Sequence, residues 1–375
     1  MKILIGADLV PTKTNFELFS AGDAVSLVGD ELLEILQEAE YRIFNLELPL
    51  CDNPTPIEKC GPALIAPTET VAGYKAIGAD ILTLANNHIL DQGQDGLHTT
   101  LTALDEAGID YIGVGTLDVA KRAKFIRLGE KKVGIYACAE HEFSIATDKT
   151  AGANPFDPLN SLDHIAKASA ECDYLIVLYH GGKEHYRYPS PYLQKVCRRI
   201  VEKGADLVVC QHSHCVGCEE KYNDGTIVYG QGNFLFDYSE SEYWQTGMLV
   251  AVDETGEVSY IPLRKEGNAV RIAGSDESAE IIENFHRRSD EIKQDGFVAK
   301  KYEEFADSMI KNYLISFSGL KRNFFYKVFD KLSGHRLTDH ILKSKYNKTK
   351  KLALLNFIEC EAHRELLLRG LKNNK

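Results

Sequence analysis

The residues that could do chemistry recur at one kind of place. Asp8, Glu47, Asn87 with His88, His180, and His212 with His214 each follow a short apolar run. Buried strands usually end in turn formers, not in a repeated set of carboxylates and imidazoles. Oxygen and nitrogen donors without thiolates suit Mn, Fe, Zn or Mg. Leaving out His88, the six candidate ligands are too many for one tetrahedral ion. They suit two divalent ions about 3.5–4 Å apart, sharing a carboxylate and leaving positions for water and substrate. Such a pair lowers the pKa of a bound water and neutralises charge on a transferring phosphoryl group. His88 sits beside Asn87 and is placed to protonate a leaving oxygen, with Asp91 able to orient it through the other ring nitrogen.

Positioning these groups requires strands. Apolar runs at 2–6, 41–46, 80–85, 172–179 and 206–211 read as buried strands, each ending at one of the candidate residues. Helical spacing of apolar residues appears at 29–40, 70–77, 94–107, 161–170 and 192–203. Alternating strands and helices predict βαβ units and a mainly parallel sheet, whose carboxyl edge gathers the five strand ends. Alternating segments at 226–229, 248–252 and 257–264 predict antiparallel strands of a second sheet. Residues 48–67 hold five prolines and read as a long loop.

A chain of 375 residues with 44% apolar content supports one large α/β domain with an appendage. A net charge of −12 argues against bulk nucleic-acid binding. The balance reverses late: residues 301–375 carry 16 Lys and Arg against 8 Asp and Glu. Composition changes near Gly274, which predicts a domain over 1–275 and a basic helical extension over 276–375. Nine cysteines, an odd number and scattered, fit a reducing compartment better than a disulfide framework. The first residues enter a strand without the apolar core of a signal peptide, and no run reaches the roughly 18–20 residues of a membrane span. The expectation is a cytoplasmic, soluble chain, able to touch a membrane surface peripherally.

The motifs as a set resemble the CapA type of capsule and poly-γ-glutamate biosynthesis proteins, within the calcineurin-like metallophosphoesterase superfamily. The carrying residues are Gly6-Ala-Asp8, Asn45-Leu-Glu47, Ala85-Asn-Asn-His88 with Asp91-Gln-Gly93, His180-Gly-Gly-Lys-Glu184, His212-Ser-His214 and Tyr229-Gly-Gln-Gly-Asn-Phe234. The resemblance implies a four-layer α/β/β/α sandwich with a two-metal site between the sheets. By it, Asp8, Glu47 and His214 hold a first metal, and Glu47, Asn87, His180 and His212 a second, with Glu47 bridging and His88 as the acid. Two departures from the wider superfamily stand out: Val10 replaces a usual ligand histidine, and the bridge is Glu rather than Asp. The first site should therefore bind more weakly.

Lys59, in a loop after Glu47, resembles a family lysine and is expected to meet an anionic substrate; Glu184 is expected to hold a ligand histidine or contact substrate. Asn233 is read chiefly as a turn residue. Cys215 and Cys218 are read as structural, since no second pair accompanies them. Aromatic and basic residues alternate late in the chain (Phe317, Lys321, Arg322, Phe324, Phe325, Tyr326, Lys327, Phe329 and Lys331), as in a helix that packs on its own domain or docks on an anionic membrane or a partner.

The resulting expectation is a metal-dependent phosphoesterase that acts on an anionic phosphoester or polymer during extracellular polymer synthesis. Water held by the metals, as hydroxide, attacks phosphorus and His88 acts as general acid. Two alternatives differ in class: a metal-dependent enzyme acting on γ-glutamyl amide bonds, and a non-catalytic polymer-binding partner of a synthase, contacting it through the basic extension.

Overall fold

The computed structural model describes residues 2–237, 240–320, 326, 330–334 and 336–373. The strands among them are β1 (Lys2–Val10), β2 (Tyr41–Asn45), β3 (Ile81–Thr83), β4 (Asp110–Ile112), β5 (Val114–Gly115), β6 (Lys124–Leu128), β7 (Lys131–Ala139), β8 (Gly152–Ala153), β9 (Tyr174–His180), β10 (Leu207–Gln211), β11 (Glu219–Tyr222), β12 (Gly225–Tyr229), β13 (Asn233–Phe236), β14 (Thr246–Asp253), β15 (Val258–Glu266) and β16 (Ala269–Ile272).

One sheet runs β16-β15-β14-β1-β2-β3-β4, and β13 pairs with the second half of β1. β1 to β4 are parallel, whereas β14 to β16 extend the sheet antiparallel. The other sheet runs β11-β12-β10-β9-β7-β6, parallel at its centre and antiparallel at both edges. The expected single carboxyl edge is thus split. β1, β2 and β3 deliver their ends from one sheet, β9 and β10 from the other. The late antiparallel segments also divide: β12 joins the second sheet, and β14 and β15 widen the first.

Helices α1 (Phe16–Ala21), α2 (Ala24–Val28), α3 (Asp30–Glu38), α4 (Val71–Ala76) and α5 (Gly93–Ala107) pack with the first sheet, and α6 (Leu117–Ala120) is a short connector. α7 (Ser161–Ser169) and α8 (Pro191–Glu202) cover the second. Together these make the four-layer α/β/β/α sandwich. Period-2 patterning builds it: Val133, Ile135, Ala137 and Ala139 of β7 share a core with the first sheet, while Tyr136 and Cys138 turn to the core under α7 and α8. Each fully buried aliphatic side chain contributes about 1.5–3 kcal/mol to this packing. α8 starts where Ser190 accepts from the Leu193 N–H at 3.0 Å and Pro191 takes the first helical position.

The chain divides into two compact units, 1–298 and 299–375. The first continues past the expected edge at 275 because α9 (Ser275–Glu291) is amphipathic and packs against β11 and β15. Phe285 is fully buried with its ring 4.8 Å from that of Tyr260, and Arg288 donates to the carbonyls of Gly217 and Val216. In the second unit, the helices Lys348–Glu359 and Glu361–Asn373 pair and leave Leu352, Leu355, Leu366 and Leu371 exposed. Lys321, Arg322, Phe324, Phe325, Lys327 and Phe329 lie outside the described residues. No helix among the described residues is long and apolar enough to cross a membrane.

Candidate metal centre

The five strand ends meet between the two sheets. Asp8 sits where β1 leaves regular register with both β2 and β13, an irregularity of the kind that re-aims a side chain. Gly6 allows this course, because a Cβ there would lie 2.3 Å from the Phe44 ring. Glu47 lies two residues beyond β2, and Asn87 and His88 follow β3. His180 ends β9, and His212 and His214 follow β10. The two last histidines hold φ values of 87° and 53°, a left-handed backbone that L side chains rarely adopt. Such strain, of order 1–3 kcal/mol per residue, persists only where neighbours impose it and concentrates at functional sites. Here Gly230 supplies the room: a Cβ on it would meet Ser213 Oγ at 2.5 Å.

Two donor triads share Glu47. Asp8, Glu47 and His214 offer ligand atoms within 4.8 Å of one another, and so do Glu47, His180 and His212. Asp8 Oδ2 lies 3.2 Å from His214 Nδ1, and Glu47 Oε1 lies 3.2 Å from His180 Nε2 and 3.9 Å from His212 Nδ1. Asn87 completes the second group, with Oδ1 3.0 Å from His180 Nε2. Val10, at the position of the absent histidine, is an apolar residue buried beside Phe236.

The donor set fits divalent ions on a direct observation. Asp8 Oδ2, both carboxylate oxygens of Glu47 and Nδ1 of His212 are buried without a hydrogen-bond partner. A buried polar atom without a hydrogen bond costs about 1–3 kcal/mol, and four in one place are donors that a divalent cation would satisfy. The protonation pattern agrees. Burial opposes charge on Glu47, but His180, His212 and His214 outweigh it and hold its carboxyl well below the usual range. Burial likewise opposes charge on His214, yet Asp8 and Glu47 prevail and push it up to about 9. His212 is raised in the same way, burial being outweighed by Glu47.

His88 and Asp91 form the expected pair. His88 Nδ1 lies 2.6 Å from Asp91 Oδ2, and Asp91 is fully buried. The ammonium of Lys59 joins this pair: it meets Asp91 Oδ1 and lies 3.1 Å from His88 Nδ1. Glu184 is exposed and pairs with Lys183 at 3.2 Å. Desolvation by its neighbours opposes charge on its carboxyl, but the charges of His212, Lys183 and His214 outweigh this and lower its pKa. Asn233 is more than a turn former, since its Oδ1 lies 2.9 Å from His214 Nδ1.

Two residues have site contacts that the sequence did not assign to them. Asn45 donates from Nδ2 to Asp8 Oδ1 at 2.7 Å, lies 3.3 Å from His180 Nδ1, and is itself held by Asn86 at 3.0 Å. Its place, two residues before Glu47 at a strand end, was the available signal. Glu140 follows β7, accepts from the Gly182 N–H at 3.1 Å and lies 3.9 Å from His212 Nε2. Cys215 and Cys218 are buried free thiols, and burial, the largest influence on each, pushes Cys215 up to about 11.

The model of the family described as bacterial capsule synthesis protein PGA_cap matches residues 18–238. This chain belongs to that family. The PGA_cap match encloses Glu47, Lys59, Asn87, His88, Asp91, His180, Glu184, His212 and His214, whereas Asp8 precedes it. The chain is 33% identical over 181 residues to the capsule biosynthesis protein CapA of Bacillus anthracis, covering 46% of this chain and 44% of that one. It is 30% identical over 177 residues to the PGA biosynthesis protein CapA of Bacillus subtilis, covering 45% and 46%. The chain thus spans about half the length of these curated relatives. Among solved structures, a novel phosphatase from Mycoplasma pneumoniae is similar at 14% identity and a TM-score of 0.44, over 71% of this chain and 94% of that one.

Proposed function

We propose that this member of the PGA_cap family is a metal-dependent hydrolase of phosphoric esters that serves the synthesis of a capsule or poly-γ-glutamate-like polymer. The observation that carries the reading is the cluster of orphaned buried donor atoms on Asp8, Glu47 and His212, beside a histidine–carboxylate pair that no donor triad uses. Two divalent ions, held by Asp8, Glu47 and His214 and by Glu47, Asn87, His180 and His212, would supply Lewis-acid polarisation of a phosphoryl oxygen and activation of water.

The chain's own groups do the rest. Asp91 fixes His88 through Nδ1, which leaves Nε2 to give a proton to the departing oxygen. Asn45 fixes Asp8 and His180, so that the carboxylate and imidazole keep one orientation without an ion. Glu184 and Glu140 stand near His212 and favour substrates that approach with their neutral or cationic end on that side.

The test is turnover of phosphomonoesters, phosphodiesters and γ-glutamyl amides by the Mn-supplemented chain. Phosphoester hydrolysis lost in His88→Ala, with metal content kept, is the expected result. Glutamate release without phosphoester hydrolysis would move the reading to amide bonds. Metal uptake without turnover of any of them would favour a binding role.

A further inference from the structure

Lys59 belongs to a proline-rich loop, yet its side chain is 2% exposed. A lysine is almost never buried without a partner, and here the partner is Asp91. The ammonium pairs with Asp91 Oδ1, lies 3.1 Å from His88 Nδ1 and stands 5.1 Å from the centre of the Phe143 ring. Asp91 Oδ2 takes the opposite side, 2.6 Å from His88 Nδ1 and 2.6 Å from the Leu64 N–H. Both of its carboxylate oxygens are thereby engaged.

We propose that Lys59 is a positioning residue for the proton donor, clamping the free oxygen of Asp91 so that Asp91 can hold His88, and that it makes no contact with substrate. The inference rests on the reading of His88 as general acid. The loop is pinned so as to keep the clamp. Thr55 N–H donates to Gln92 Oε1 at 2.7 Å, and Gln92 Nε2 donates to the Leu64 carbonyl at 3.0 Å. The Ile57 N–H donates to the Asp91 carbonyl at 3.0 Å. Removing the ammonium leaves a buried carboxylate oxygen without a donor, which frees the carboxylate to turn and releases the imidazole.

The experiment is a double-mutant cycle on the Mn-supplemented full chain: Lys59→Met, Asp91→Asn and both together. Turnover is read on an alkyl phosphodiester, whose leaving group needs a proton, and on a nitrophenyl phosphodiester, whose leaving group does not. Lys59→Met should lose about 10–100-fold in kcat on the alkyl ester with KM unchanged and little loss on the nitrophenyl ester. Lys59→Met should cost nothing further in the Asp91→Asn background, and the double variant, which removes both buried charges, orphans neither and protects folding. A downfield ring N–H proton resonance of the Zn-loaded chain, assigned by its absence in His88→Ala, should vanish in Lys59→Met. A raised KM at unchanged kcat, fully additive effects, or a resonance that survives Lys59→Met would overturn the clamp. His88→Ala without leaving-group dependence, or a wild type without turnover, would instead count against the acid, and the resonance would then decide the clamp alone.

Discussion

Glu47 Oε1 lies 3.2 Å from His180 Nε2, across the gap between the two sheets, and both of its carboxylate oxygens are buried without a hydrogen bond. One carboxylate therefore belongs to both donor triads. Glu47→Gln should abolish binding of both ions together, a loss greater than the roughly 10–100-fold expected for an outer partner. Metal titration of the purified variant checks this, and loss of one ion alone would assign the bridge elsewhere.

His88 should separate chemistry from metal binding. His88→Ala should keep the ions and lose about 10²–10⁴-fold in turnover of esters with poor leaving groups. Metal analysis and kinetics on the same preparation make the measurement.

Asn45 should behave as an orienting group. Asn45→Ala removes the donor to Asp8 Oδ1 and a contact to His180 while leaving all six candidate ligands in place. Metal affinity should fall by about 10–100-fold. Unchanged affinity would show that the ligands hold their positions unaided.

The stability of the metal-free chain should depend on pH through the same cluster. His214 rises from the usual 6.5 to about 9, so its stabilisation is complete below pH 6.5 and is lost as pH climbs through 9. The amount is on the order of 3 kcal/mol. Glu47 is shifted down, so its stabilisation is present above the ordinary carboxylate value of about 4.3 and is lost as pH falls below it. Thermal melts with chelator should therefore peak between about pH 5 and 6.5 and decline toward 9. Added metal should reverse the alkaline decline, because binding expels the imidazole protons.

Much of this site was legible because its residues stand at strand ends, where period-2 apolar runs give way to His, Asp and Glu. The partition of the strands between two sheets was not legible. β1, β2, β9 and β10 look alike in sequence, and only long-range pairing assigns them. The Lys59–Asp91 pair was not legible because burial of a loop lysine depends on Asp91, 32 residues away. The roles of Asn45 and Glu140 were not legible because a lone polar residue at a strand end has the same signature as a turn former. The edge at 275 followed the charge reversal, whereas α9 is bound to the sheets by Phe285 and Arg288, which a composition average hides.

Native thiol labelling tests the burial pattern independently. Cys60 is exposed, Cys172 and Cys360 are half-buried and the other six cysteines are buried. A maleimide should modify Cys60 first and leave Cys215 and Cys218 unmodified until the chain unfolds. Early modification of that pair would contradict the packing described above.

The most direct measurement is the metal content of the chain after chelator treatment and reloading with Mn or Zn, for wild type and for His180→Ala with His212→Ala. The account predicts close to two ions per wild-type chain, the ion of the Asp8–Glu47–His214 group being the weaker, and a sharp fall in the double variant. A wild type that takes up neither Mn nor Zn would contradict it.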